Sequence, residues 1–329
     1  MYRVLGLIRR TLHHEQTDKT MKQFFEGKSL EELYKALDNF KIYLSIIADI
    51  KDPAELFDKI ESFWKKEIGF FIFLTAPTTE LKTSQSYFRI RIDTGDINSQ
   101  LIQEFGTPPV KATTAFQRAN IPNFPVMYCG ASIDVAAFES LHKPEFIDKN
   151  FYLSKWAITK NISTATTHFL FKESIKSDLS ENAKNIQEHT NRVYDTLTAG
   201  ESLTPEQKKF INSYVTFIVS EFLNETNYVL SSYIGHSVLY ANHNMRSSII
   251  YYPSIKKKHF GFNAAINPNF ASQYLKLEKI YYCKVLKIDV EKENIEISFS
   301  KIGIPSHSQI IWNNLSALDF QDIKNDYEG

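Results

Sequence analysis

FPVMYCGASIDVAAFES, residues Phe124–Ser140, changes periodicity midway, and that change decides the class of fold. The first half, FPVMYCG, reads as a strand with Val126 and Tyr128 on one face, because side chains on an extended chain alternate between sides. The second half, continued as DVAAFESLHK, reads as a short helix capped by Ser132 or Asp134, whose side-chain oxygens accept the unpaired amides of a first turn. Val135, Phe138, Glu139 and His142 share one side of that helix, and Ile133, Ala136, Ala137 and Leu141 the other. A helix apolar on both sides is a buried helix, so Glu139 is expected to be shielded from bulk water.

The same mixture continues outward. Upstream, SYFRIRID alternates Phe88, Ile90 and Ile92 with Tyr87, Arg89, Arg91 and Asp93, the pattern of a half-buried strand. Arg89 and Arg91 project from one face, about 7 Å apart on strand geometry. From about Asp18 to Lys66 the chain reads as helical. Leu30, Leu33, Leu37, Phe40 and Ile42 recur near helical spacing, Ser29 and Glu32 supply a capping box, and Asp52-Pro53 opens a second helix. Downstream, FYLSKWAIT is a strand candidate, and roughly Ser174 to Asn227 is helical again, with Thr204, Pro205 and Gln207 marking a helix start. SSIIYYPS, FNAAIN, KIYYCKVLKIDV and NIEISFSKI then return to strand patterns. Strands interrupted by one helical block imply an α+β fold, a mixed β core with N-terminal helices and a helical insertion. The expected organisation is a helical region at 1–80, a main domain at 81–290 with its insertion at about 174–227, and a strand and tail at 291–329.

The 329 residues suffice for one large domain or two smaller ones, at 43% hydrophobic and 23% charged. Lys plus Arg equals Asp plus Glu, at 38 each, so there is no general attraction to nucleic acid or anionic membranes. Cys129 and Cys283 alone make neither a disulfide framework nor a cysteine zinc site, and are expected to pack as small apolar side chains in a reducing compartment. MYRVLGLIRRTLHH lacks the long apolar stretch and cleavage site of a secretory signal, and GFFIFLTAP is too short to span a bilayer. The placement expected is cytoplasmic. His13, His14, His236 and His243 show no paired-ligand spacing, and no metal site is expected.

Arg118-Ala119-Asn120, Tyr128, Glu139 and Tyr252-Pro253-Ser254 set a cation, aromatic rings and a carboxylate among apolar structure, the make-up of a concave site. Each residue also has a plainer reading. Glu139 is either functional or a buried carboxylate paired with a neighbouring Arg or His. Arg89 is either a ligand-binding cation or a strand arginine paired across a sheet, and Tyr128 either a stacking platform or a core tyrosine with a satisfied hydroxyl. Ser254, following a proline, is also a natural turn or cap residue. The basic run Lys256–Lys258 reads as a solvated loop, or as a cationic patch drawing an anion toward Ser254.

Across roughly residues 84–290, four ordered blocks resemble the RES domain, a family named for an arginine, a glutamate and a serine far apart in sequence. The blocks are YFRIRI, PPVKATTAFQRAN, FPVMYCGASIDVAAFES and IIYYPSIKKKHFGFNAAINP. The resemblance implies an ADP-ribosyltransferase-like core and an NAD-degrading enzyme of the toxin or defence type. It carries the naming arginine onto Arg89, a second family arginine onto Arg118, the aromatic onto Tyr128, the glutamate onto Glu139, the serine onto Ser254 and a following asparagine onto Asn263.

The chain departs from the family at Gln117, where a glycine is common, and in the long helical segment between Glu139 and Ser254. On this resemblance Glu139, Arg89 and Ser254 are the expected catalytic set, and Arg118, Tyr128 and Asn263 bind NAD, the substrate. Cleavage of the nicotinamide–ribose bond develops oxocarbenium character, which a carboxylate stabilises, while guanidinium forks suit the pyrophosphate. Hydrolysis and phosphorolysis both fit, as an NAD glycohydrolase or an NAD phosphorylase. The alternatives are ADP-ribose transfer to a macromolecule and a non-catalytic nucleotide- or protein-binding module. The implied partners are NAD, a protein antitoxin or regulatory partner, and a second copy of the chain, with neither membrane nor nucleic acid among them.

Overall fold

The computed structural model describes residues 25–69, 75–171, 181–199, 203–240, 246–256 and 261–328. The N-terminal stretch through residue 24 with His13 and His14, most of the GFFIFLTAP run, His243, and Lys257 and Lys258 lie outside them.

Two helices come first, α1 (Leu30–Ile46) and α2 (Pro53–Glu67). The Ser29–Glu32 capping box forms at the first, and Asp52 with Pro53 starts the second. Leu33, Leu37 and Phe40 are buried, but Ile42 is 62% exposed. Two residues past Phe40 at about 100° per residue, it rotates off the buried stripe.

Strands β1 (Thr75–Leu81), β2 (Ser86–Ile92) and β3 (Met127–Gly130) lead into α3 (Ile133–Leu141), which is capped by Ser132. Strands β4 (Asn150–Ile158) and β5 (Ile162–His168) precede the helical block of α4 (Glu181–Thr198), α5 (Pro205–Leu223) and α6 (Val229–Leu239). Then come β6 (Ile249–Pro253), β7 (Phe262–Ile266), α7 (Pro268–Tyr274), β8 (Leu275–Asp289), β9 (Asn294–Ser306), β10 (Gln309–Asn314) and α8 (Ala317–Glu328).

The strands form one ten-stranded sheet in the order β1-β5-β6-β7-β3-β2-β4-β8-β9-β10, so the fold is α+β. Among the described strands only β5 and β6 are parallel neighbours. A parallel pair needs a long crossover, and the helical block is that crossover.

Phe88, Gly130, Asn263 and Tyr252 lie in register across β2, β3, β7 and β6, and so share one face of the sheet. Helices cover that face in two groups. On one side α1 and α2 pack with α5 and α6 around Phe40, Trp64, Phe210, Tyr214 and Phe222, a core that includes Tyr252. The N-terminal helices and helices α5 and α6 of the insertion therefore form a single layer, while α4 also places Ile186 in the core of the opposite face. On the other side α3 and α8 cover Phe88, Phe151, Leu153, Tyr281 and Ile302. The opposite face of the sheet buries Tyr87, Trp156, Tyr251, Phe262 and Phe270.

Several elements depart from the sequence pattern. The helical block runs on through α6, where Ser231, Ser232 and Gly235 are buried beside Leu230 and Ile234; with no polar face there is no helical period to detect. Strand β5 is threonine-rich and buries hydroxyls in pairs, Thr75–Thr167 at 2.9 Å and Thr79–Thr166 at 2.6 Å. The C-terminal residues expected as a strand and tail continue the sheet through β9 and β10 and end in α8. No helix among the described residues is long and apolar enough to cross a membrane.

Candidate functional site

Strands β2 and β3 pair at a single register position, Phe88 with Gly130. Beyond it β2 follows β4 and β3 follows β7, so the sheet splits between them. A cavity of about 570 Å³ opens at this split, where the two helix groups meet. Sites for small molecules commonly occupy about 300–1,000 Å³. Arg89, Arg118, Tyr128, Glu139 and Asn263 all line it, together with Gln117, Gly130, Glu225, Tyr228, Tyr252 and Lys256.

Arg89 bridges the split. Its Nη1 donates to the carbonyl of Tyr128 at 3.0 Å, where the strand ladder has lapsed. Its Nε is enclosed and has no hydrogen-bond partner among the described residues. Burial pulls its pKa below the ordinary arginine value, although arginine remains a cation in proteins. Arg91, two residues on, forms an ion pair with Glu104 Oε2 at 2.7 Å and does not line the cavity.

Arg118 sits in a tight turn closed by paired backbone bonds between Gln117 and Asn120. The turn holds Gln117 without the left-handed backbone that a glycine permits. Helix α6 presses against the turn so closely that a Cβ on Gly235 would lie 2.4 Å from Ala119 Cα. Arg118 Nη1 donates to the Phe222 and Asn224 carbonyls at the C-terminal end of α5, where a cation complements the helix dipole. Its guanidinium lies 5.5 Å from the ring centre of Tyr252 and 5.7 Å from that of Tyr228.

Tyr128 has a locally satisfied hydroxyl. It accepts from Ala119 N at 2.8 Å and donates to Asn120 Oδ1 at 2.9 Å. Burial raises its pKa, so it is a neutral phenol, and what it offers a ligand is its ring. Cys129 also lines the cavity, and burial pushes its thiol up to about 12, well away from a thiolate nucleophile. Both cysteines are free and buried.

Glu139 is half-buried and faces the cavity, less shielded than its helix pattern implies. Helix α3 reaches this position because Gly130 lets its first turn approach β3; a Cβ there would lie 2.5 Å from Ala136 N. Glu139 Oε1 accepts a 2.6 Å bond from Ser254 Oγ and a long 3.4 Å contact from Lys256 N. No described cation forms an ion pair with it. Ser254 is fully buried behind Glu139 and does not line the cavity, so its position is that of an orienting group. Asn263 is 4% exposed, and its Nδ2 finds no hydrogen-bond partner among the described residues.

The site therefore gathers every residue expected from the sequence, with Ser254 behind the carboxylate. Glu225 and Tyr228, from the α5–α6 connection, were not legible. They lie in a short polar linker with no pattern of its own, and the crossover alone brings them to the split. Among the described residues the charged lining is three cations, Arg89, Arg118 and Lys256, against two carboxylates, Glu139 and Glu225. Such a set suits an anionic ligand that carries a second, cationic centre near Glu139. No protein-family model matches the chain, and no curated protein matches it.

Proposed function

We propose that this chain is an NAD-consuming enzyme of RES type that cleaves the nicotinamide–ribose bond. The observation that carries the reading is Glu139, a carboxylate oriented by Ser254, free of a described counter-ion, and facing a cavity shared with Arg89, Arg118, Tyr128 and Asn263. In the reaction the C1′–N bond breaks and its electron pair stays on the nicotinamide nitrogen, turning the pyridinium into neutral nicotinamide. Glu139 stabilises the positive charge left on the ribose, directly or by accepting a ribose hydroxyl. A water or phosphate oxygen then bonds to C1′. With water as acceptor its proton is released, giving ADP-ribose.

The guanidinium groups keep N–H donors beyond those used on backbone carbonyls, and these serve the pyrophosphate. Asn263 Nδ2 supplies a further donor, and the Tyr128 ring an apolar surface for the base. Depletion of NAD by such an activity accounts for a toxin or defence role restrained by a protein antitoxin.

The test is incubation of the purified chain with NAD and identification of products by mass spectrometry. The expected products are nicotinamide with ADP-ribose, or with ADP-ribose phosphorylated at that same anomeric carbon, C1′, when phosphate is the acceptor. Glu139→Gln should lower release at least 100-fold, on the scale of losing one electrostatic stabiliser. NAD left intact by the wild-type chain overturns the reading, and label transferred to a macromolecule redirects it to ADP-ribosylation.

A further inference from the structure

Of the three described cations lining the cavity, Arg89 and Arg118 bond backbone carbonyls and have no carboxylate partner among the described residues. Lys256 is different. Its Nζ lies 2.7 Å from Glu225 Oε1, an ion pair whose side chains are 29% and 38% exposed. The partners come from separate elements: Lys256 follows Ser254 after β6, and Glu225 belongs to the α5–α6 connection. Glu225 is also held in place. Asn224 Oδ1 accepts from Thr226 N at 2.9 Å and Asn227 N at 3.2 Å, shaping the turn, while Arg118 binds the carbonyls of Phe222 and Asn224 at its start.

We propose that Glu225 is an internal competitor for the ligand's anionic group, and that Lys256 is the cation this group takes over when the Glu225 pair opens. The proposal rests on the dinucleotide reading of the cavity. Among the described residues, with Glu225 withdrawn, Arg89, Arg118 and Lys256 against Glu139 leave two positive charges in excess, matching the two negative charges of a pyrophosphate. With Glu225 in place the excess is one, and binding must first break a carboxylate–ammonium contact. The helical crossover thus lowers the affinity of the site for its own ligand class, and Lys256 is a specificity-determining residue.

ADP-ribose is the probe, because it carries the pyrophosphate and needs no turnover; its binding is followed by calorimetry. A partly exposed pair contributes about 0.2–1 kcal/mol, so Glu225→Gln should bind ADP-ribose about 1.4- to fivefold more tightly. Lys256→Met should bind it several-fold more weakly, and the double variant should show none of the Glu225→Gln gain. The Glu225→Gln gain should shrink as salt rises, which a purely structural role would not produce. Thermal melts confirm folding, and Glu225→Ala replaces Glu225→Gln if the latter is unfolded.

A Glu225 variant that binds no more tightly overturns the proposal, as does a double variant that keeps the gain or a wild-type chain that binds no ADP-ribose at millimolar concentration. NAD turnover on the same proteins separates the two readings. ADP-ribose binding with this pattern but without NAD cleavage removes the enzyme reading alone, whereas cleavage without the pattern removes the Glu225 assignment alone.

Discussion

Ser254 Oγ and Glu139 Oε1 lie 2.6 Å apart, although 115 positions separate them in the chain. The bond ties the end of β6 to the last turn of α3 and leaves the second carboxylate oxygen without a bond from any described residue. Ser254 is buried and does not line the cavity, so its link to the site is the bond to Glu139.

Under the proposed NAD cleavage, Ser254→Ala should lower kcat with little change in KM. A hydrogen bond to a charged group contributes about 1.5–3 kcal/mol, so the expected loss is about 10- to 100-fold. Ser254→Thr, which keeps the hydroxyl, should recover part of it. Steady-state kinetics with nicotinamide as the measured product check this, and an unchanged kcat would show that Glu139 needs no such support.

Gly130→Ala should destabilise the chain by about 1–3 kcal/mol, because the added methyl meets the α3 backbone and the helix must move off β3. The same shift displaces Glu139, so activity should fall further than stability alone explains. Thermal denaturation together with assays well below Tm separates the two effects.

The N-terminal helices share a core with the crossover helices, so damage there should unfold the site. Trp64 is 1% exposed and packs edge-on against Phe40. Trp64→Ala should cost about 3–5 kcal/mol in chemical denaturation, in one cooperative transition. A separate early transition would instead make α1 and α2 an independent unit.

Acid should destabilise the protein through His168. It is fully buried, with Nε2 2.8 Å from Thr166 Oγ1 and Nδ1 3.1 Å from Thr190 Oγ1, and burial pushes its pKa down to about 3. The unfolded chain takes up that proton near the usual imidazole value of about 6.5 and the folded chain does not. The neutral histidine is therefore fully compatible with folding above about pH 6.5, and stability falls as pH drops toward 3. At pH 5 the loss is on the order of 2 kcal/mol. Urea midpoints at pH 7 and pH 5 should differ less in His168→Gln than in the wild type, and equal differences would acquit His168. His236, lowered to about 4 by burial, leaves a residual slope in that variant.

Local patterns made much of the fold legible. The alternation at Ser86–Ile92, the strand-to-helix change at Phe124–Ser140 and the capping residues at Ser29, Asp52, Thr204 and Ser132 all depend on neighbours within a turn or two, and all appear in the structure. β5 and α6 were not legible. The first hides buried threonines that satisfy one another, and the second is buried all round and lacks a polar face.

The sequence by itself determined where the capped helices and the alternating strands begin, which of their side chains share a face, and which residue types were available for a charged, aromatic site. Only the tertiary structure decided that β2 and β3 part after one register pair, that Arg118 spends bonds on α5, that Ser254 stands behind Glu139, and that Glu225 reaches Lys256. Periodicity and capping arise from interactions over a few residues, whereas these contacts join positions brought together by strand order and a helical crossover. Such closures are set by the packing of the whole sheet and its helical layer, which no short stretch of the chain contains.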